Sequence, residues 1–83
     1  MPRSSVKVRR RRVLLDLLRQ VRLDTGLRQV DVAKKLGKPQ SFVSNYESGE
    51  RRLDLLELQA VCEVLGITIS DFVGRFEEAQ AGK

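Results

Sequence analysis

LRQVDVAKKLGKPQSFVSNYESGER, residues Leu27–Arg51, is the stretch that decides how this chain folds. One helical pattern in it ends at Gly37, a residue type that readily takes the left-handed conformation just after a helix. A second pattern begins at Pro39 or Gln40 and stops before Gly49. The stretch therefore predicts two short helices joined by a turn of only a few residues.

The second of these helices has more polar surface than packing alone requires. Val43 and Tyr46 face inward at a spacing of i, i+3, and Ala33 on the first helix is small enough for a close crossing near the turn. The side chains left outside are Gln40, Ser41, Phe42, Ser44 and Asn45. Two short helices and a tight turn form a helix-turn-helix motif, and its outer face is the candidate functional surface.

Length and composition exclude several classes of protein. The chain has 83 residues, one cysteine and no histidine, which predicts a single small domain without a disulfide or a transition-metal site. No segment resembles a membrane span or a signal peptide. We therefore expect a soluble, cytoplasmic protein that is not an enzyme and needs no cofactor.

The positive charge is concentrated at one end of the chain. The net charge is +5, yet residues 1–12 hold six basic and no acidic residues, which leaves ten basic and eleven acidic residues in the rest. Residues 13–52 are basic on balance, and residues 53–83 are acidic on balance. A basic front and an acidic back are typical of a nucleic-acid-binding protein.

Three further helices are predicted around the motif. The first starts between Arg10 and Val13, ends at Thr25 and is preceded by a flexible basic arm over residues 1–9. The second, Leu55–Leu65, follows a capping pair and buries Cys62 as a small core residue. The third runs from Ile69 to about residue 78. The domain then spans residues 10–78, and residues 79–83 form a frayed tail.

With these helices in place, the chain resembles the DNA-binding domain of the phage repressor and Cro type of helix-turn-helix protein, the XRE family. Three segments carry the resemblance, LRQVRLDTGLRQVDVAKKLG, PQSFVSNYESGERR and LDLLELQAVCEVLGITISDFV, which together make up 55 of the 83 positions. The resemblance implies an all-α, five-helix domain that inserts the second helix of the motif into the major groove of DNA, commonly as a dimer.

The resemblance also implies roles for individual residues. The base-contacting positions would be Gln40, Ser41, Ser44 and Asn45, since an amide can bond N6 and N7 of adenine together. Phe42 departs from the small polar residue that is usual in the family. Its ring could contact a thymine methyl, or it could equally mark a contact with protein.

Further positions would hold the sugar-phosphate backbone. Gln29 resembles a glutamine that holds a phosphate and supports its neighbour on the next helix. The basic candidates are Lys38, Arg51, Arg52 and the run Arg9, Arg10, Arg11 and Arg12. Arg22 and Glu47 match a pair that bridges the first and third helices, and we expect them to form a partly buried ion pair.

These features predict a transcriptional regulator, a repressor by preference, that binds a roughly palindromic site on double-stranded DNA as a homodimer. The dimer is expected to form through Phe72, Val73 and Phe76. One alternative is an antitoxin that represses its own operon and holds a toxin through its acidic C-terminal half. Another is a protein-interaction module that has lost DNA binding.

Overall fold

The computed structural model describes the backbone of residues 2–81 and the side chains of residues 8–81. Residues 2–81 form five α-helices and no β-strand, so the predicted all-α, five-helix architecture is confirmed. The helices are α1 (Pro2–Thr25), α2 (Gln29–Leu36), α3 (Gln40–Ser48), α4 (Leu55–Leu65) and α5 (Ile69–Ala81).

Helix α1 is longer than the sequence pattern predicted. It begins at Pro2, so residues 2–9, which were predicted to belong to a flexible arm, are helical and continue into the rest of the arginine run. Proline suits the first helical turn because its missing N–H would have had no partner there. Lysine and arginine are good helix formers, which allows the helix to continue without an apolar stripe. At the other end, Ala79–Ala81 belong to α5, and residues 82–83 of the predicted tail lie outside the described residues.

Each short helix has the terminal chemistry that its sequence demands. Asp54 and Glu57 form a reciprocal capping box at the start of α4, with Glu57 N to Asp54 Oδ1 at 2.7 Å and Asp54 N to Glu57 Oε1 at 3.0 Å. The Thr68 hydroxyl accepts the Asp71 N–H at 3.0 Å and caps α5. These bonds satisfy backbone donors that a helix start would otherwise leave unpaired.

At the start of α2, the carboxylate of the first turn makes the capping bonds, and the N-cap side chain does not. Arg28 has no acceptor side chain, but the Asp31 carboxylate accepts the Arg28 backbone N–H at 2.9 Å and the guanidinium at 2.9 and 3.0 Å. The guanidinium beside it lowers the pKa of Asp31 to about 2. Asp31 therefore remains charged at the positive end of the helix dipole.

The core lies between α1, α2, α3 and α4, where α2 packs against α3 and α4 and α1 packs against α3, and α5 closes it against α1 and α4. Its buried apolar members are Leu18, Val21, Val32, Ala33, Val43, Tyr46, Val61, Cys62, Leu65 and Phe72. Val43 and Tyr46 belong to α3, so the inner face of that helix is locked into the core. Its outer face is thereby turned away from the protein.

Candidate nucleic-acid interface

The outer face of α3 is polar and carries no charge. Gln40 and Ser41 are exposed, whereas Ser44 and Asn45 are half-buried. The Ser44 hydroxyl donates to the Ser41 carbonyl at 3.3 Å, a bond that leaves its lone pairs available to a ligand. All four predicted base-contacting residues therefore lie on one short helix beside one another.

The main chain of Asn45 ends α3 and turns it into the following loop. The Asn45 carbonyl accepts N–H groups of Gly49, Glu50 and Arg51 at 2.9–3.1 Å. This turn requires a φ of 93° at Gly49, where an added Cβ would also lie 3.1 Å from Cδ1 of Leu15. A glycine suits both demands. The side-chain amide of Asn45 takes part in none of these bonds.

A buried ion pair fixes the orientation of α3 against α1. Arg22 Nε donates to Glu47 Oε2 at 2.7 Å, and Arg22 Nη2 donates to Glu47 Oε1 at 3.0 Å. The two side chains are only 8% and 5% exposed. Arg22 Nη1 also donates to the Leu27 carbonyl at 3.0 Å, so the guanidinium spans three segments. The bonds to Glu47 raise the pKa of Arg22.

Gln29, at the start of α2, completes this network. Its Nε2 donates to Glu47 Oε1 at 2.9 Å. One further amide N–H and the amide oxygen are left for other partners. Gln29 and Gln40 line the same surface depression, so the glutamine predicted to hold a phosphate lies beside the glutamine predicted to read a base.

Phe42 lies between two basic side chains and does not project freely outward. The Lys38 Nζ is 5.5 Å from its ring centroid, and the Arg51 guanidinium carbon is 4.9 Å from it. The Tyr46 ring meets it edge-on at 5.7 Å, with an interplanar angle of 77°. Both cations are within the range of cation–π attraction. The ring thus holds together two residues that were predicted separately as phosphate contacts.

Arg51 is also paired with an acid. Its Nη2 donates to Glu57 Oε2, and the two side chains are 43% and 27% exposed. Arg52 and Lys38 are exposed. Sequence reasoning missed the link between Phe42 and Arg51. Lys38 lies outside α3 and Arg51 lies beyond its end, so the helical spacing rule signalled neither contact.

The arginine run is presented by α1. Arg9, Arg10 and Arg12 are exposed, and Arg11 is half-buried. Arg11 Nη2 donates to the Gly49 carbonyl, which ties α1 to the end of α3. The run therefore lies next to the loop that carries Arg51 and Arg52, a proximity that an unstructured arm did not predict.

The residues predicted to form a dimer do not share one surface. Phe72 is 1% exposed and belongs to the monomer core, so it has no surface to offer to a partner and its assignment is corrected. Val73 is exposed and Phe76 is half-buried. Among residues 8–81, the most exposed large apolar side chains are Leu55 and Leu56 at the start of α4, at 70% and 75%.

Cys62 contributes to packing and offers no reactive surface. It is fully buried, and burial raises the pKa of its thiol. A thiol with a raised pKa is mostly protonated at neutral pH and is a poor nucleophile. No helix within residues 2–81 is both long and apolar enough to cross a membrane.

Comparison with known proteins bears directly on this geometry. The sequence model of a helix-turn-helix family matches residues 18–72, more than half of the chain. An XRE-family like protein from Pseudomonas syringae pv. tomato str. DC3000 has 36% sequence identity and a TM-score of 0.86, covering 93% of this chain and 94% of that chain. The clp gene regulator ClgR from C. glutamicum has 26% identity and a TM-score of 0.73, covering 87% and 88%. No curated protein sequence matches the chain.

Proposed function

The chain belongs to the XRE type of the helix-turn-helix family of DNA-binding transcription regulators, and from that premise we propose that it is a repressor. It binds a roughly palindromic operator as a homodimer in the cytoplasm. Helix α3 enters the major groove. The observation that carries the proposal is the uncharged polar face of α3, which a buried ion pair orients and basic residues border.

Base choice is assigned to the polar face of α3. Gln40 is the most accessible amide on it, and a glutamine or asparagine amide can bond N6 and N7 of one adenine. Asn45 is available for the same chemistry because only its main chain is used in the turn. Ser41 and Ser44 supply hydroxyls, which suit several bases as well as phosphate.

Affinity for the sugar-phosphate backbone is assigned to the basic border. Lys38 and Arg51 stand against Phe42, and Arg52 and the run Arg9–Arg12 extend the same charge. Gln29 adds a neutral donor at the start of α2, where the helix dipole favours a phosphate. We accordingly give Phe42 the role of positioning two cations, in place of the thymine contact or the protein contact that the sequence left open.

The homodimer is proposed on two apolar surfaces that the monomer leaves open. One is the exposed pair Leu55 and Leu56, and the other is Val73 with Phe76 on α5. A two-fold dimer would place its half-sites about one turn of DNA apart, roughly 34–36 Å. Leu55→Asp with Leu56→Asp, compared with Val73→Asp, identifies by light scattering which surface carries the contact.

Selection of binding sites from random duplex DNA tests the whole proposal. We expect a recovered motif with two related half-sites, and a complex that contains two chains per site. A reporter gene placed behind that site should lose expression when the protein is present. Recovery of no preferred sequence would contradict the assignment of α3, and a single half-site bound by one chain would contradict the dimer.

A further inference from the structure

A cavity of about 330 Å³ opens between α1 and the loop that follows α3. Its floor is apolar, because it is built from leucines and the buried tyrosine of α3. The apolar residues are Leu14, Leu15, Leu18, Leu53, Leu58 and Tyr46. None of the DNA contacts proposed above uses this apolar floor.

Four arginines complete the wall of this cavity. Arg10 and Arg11 come from α1, and Arg51 and Arg52 come from the loop. Arg11 is engaged by the Gly49 carbonyl and Arg51 by Glu57. Within residues 8–81, neither Arg10 nor Arg52 takes part in an ion pair. Two guanidinium groups without an acidic partner thus border an apolar cavity from opposite segments.

We propose that this cavity binds a small amphipathic anion, a molecule with one acyl chain and a carboxylate or phosphate headgroup. The chain would lie on the leucine floor, and Arg10 and Arg52 would bind the headgroup. Ligand sites of this kind are mostly apolar and hold a few polar groups that fix orientation. Guanidinium groups form strong, often bidentate bonds with carboxylates and phosphates.

Size and charge favour this occupant over others. The volume is near the lower limit of typical ligand pockets, roughly 300–1,000 Å³, which suits one short chain. The arginines oppose a cation, and a neutral alcohol would leave the charges of Arg10 and Arg52 without a partner. A helical peptide would need a longer groove with anchors along several turns.

Binding of an anion in the cavity would also regulate DNA binding, and this part of the inference rests on the proposed function. The arginines at the cavity are among those assigned to phosphate contacts, so the headgroup and the DNA backbone would compete for them. By linkage, the anion would weaken DNA binding, and DNA would weaken binding of the anion by the same factor. The cavity would then serve as an inducer site within the DNA-binding domain itself.

Calorimetric titration of the full chain without DNA tests the cavity by itself. The probes are octanoate and octyl phosphate, with acetate and inorganic phosphate as headgroups without a chain. Octanol and octyltrimethylammonium supply the chain without a negative charge. We expect one molecule of octanoate or octyl phosphate per chain and much weaker binding of the four controls. The tighter of the two probes identifies the headgroup.

Three variants distinguish binding in the cavity from a general attraction of the anion to positive charge. Arg10→Ala with Arg52→Ala should weaken the tighter probe at least about tenfold, since each loses a charge-assisted hydrogen bond. Arg19→Ala with Arg75→Ala removes the same charge from exposed positions outside the cavity and should leave the affinity unchanged. Leu53→Trp should fill the cavity and abolish binding, with circular dichroism as the check on folding.

The results distinguish this proposal from the proposed function. The site would be overturned if both double arginine variants weakened binding of the anionic probe equally, or if octanol bound as tightly as that probe. Either result would leave the proposed DNA binding unaffected. Failure of both anionic probes to bind would also overturn the site. Self-association lost in Leu53→Trp, without any binding of octanoate, would assign the cavity to a second copy of the chain. If the chain bound octanoate but selected no DNA sequence, the anion site would be supported and the proposed repressor function would be contradicted.

Discussion

Two arginine–glutamate pairs brace α3 and its following loop, and they differ in almost everything except their chemistry. Arg22–Glu47 is bidentate and nearly closed to solvent, and it shares its carboxylate with Gln29. Arg51–Glu57 is single and open to solvent, and its guanidinium also lies on the ring of Phe42. One pair joins two helices of the core, while the other lies beside the proposed DNA surface.

The difference indicates separate tasks for the two pairs. A buried pair is costly to break, because the partner left behind is charged and desolvated, even where the intact pair adds little net stability. An exposed pair contributes about 0–1 kcal/mol and is screened by salt. We therefore assign orientation of α3 to Arg22–Glu47 and placement of one phosphate-binding group to Arg51–Glu57.

The largest effect is expected on breaking the buried pair. Arg22→Ala leaves Glu47 charged and desolvated, which should lower the free energy of unfolding by up to about 3–5 kcal/mol. Thermal unfolding of Arg22→Ala, Glu47→Ala and the double variant measures the coupling between them. Additive losses below about 0.5 kcal/mol would show that the pair does not orient α3.

A smaller effect is expected from a substitution on the outer face of α3, which the buried pair orients. It should alter DNA binding and leave folding unchanged. Gln40→Ala should cost about 1–3 kcal/mol on the selected site and relax the choice at one base pair. Binding to a scrambled site should barely change. Titration of both sites at several salt concentrations provides the measurement, and equal weakening on the two sites would remove Gln40 from base recognition.

Removal of the Phe42 ring tests the surroundings of the exposed pair, Arg51–Glu57. Phe42→Leu keeps apolar volume but loses two cation–π contacts of about 0.5–1 kcal/mol each. Lys38 and Arg51 should then be less well placed, so that selected and scrambled sites are both bound more weakly and with a shallower dependence on salt. Phe42→Tyr retains a ring and is the matched control. Loss confined to the selected site would instead indicate a base contact by Phe42.

The smallest effect is expected from Glu57→Gln. Glutamine can still accept the Asp54 N–H, so the capping box is kept while the charge is removed. The free energy of unfolding should fall by less than about 1 kcal/mol. Arg51 loses the acceptor that places it, because the amide NH2 group stands where Oε2 was, so the affinity for selected and scrambled DNA should fall slightly. A loss of stability as large as that of Arg22→Ala would show that the exposed pair is as costly to break as the buried pair.

Much of the fold was predictable because local and tertiary signals agreed. Glycines at helix ends, capping pairs and apolar spacing predicted the end of α2 and both ends of α4, and the small Ala33 indicated a close crossing. The pairing of Arg22 with Glu47 came from the family resemblance. Spacing alone does not reveal a contact across 25 positions.

Predictions failed where a residue's surroundings depend on distant parts of the chain. Phe72 was predicted to face a partner together with Val73 and Phe76, but packing of α5 against α1 and α4 buries it within the monomer. Phe42 looked outward on α3, yet the turn at Gly49 returns Arg51 to its ring. The start of α1 was missed because a basic stretch without an apolar stripe gives no periodic signal, although its residues favour a helix.

The helical setting of the arginine run changes the entropy of association. A disordered arm loses backbone freedom of about 1–2 kcal/mol per residue when a partner fixes it. In α1 that loss has already occurred on folding, and the Arg11 bond to Gly49 limits the remaining freedom. Successive side chains also point about 100° apart, since a turn holds 3.6 residues. The four arginines therefore cannot all face one strand of DNA, and those that do face it arrive already ordered.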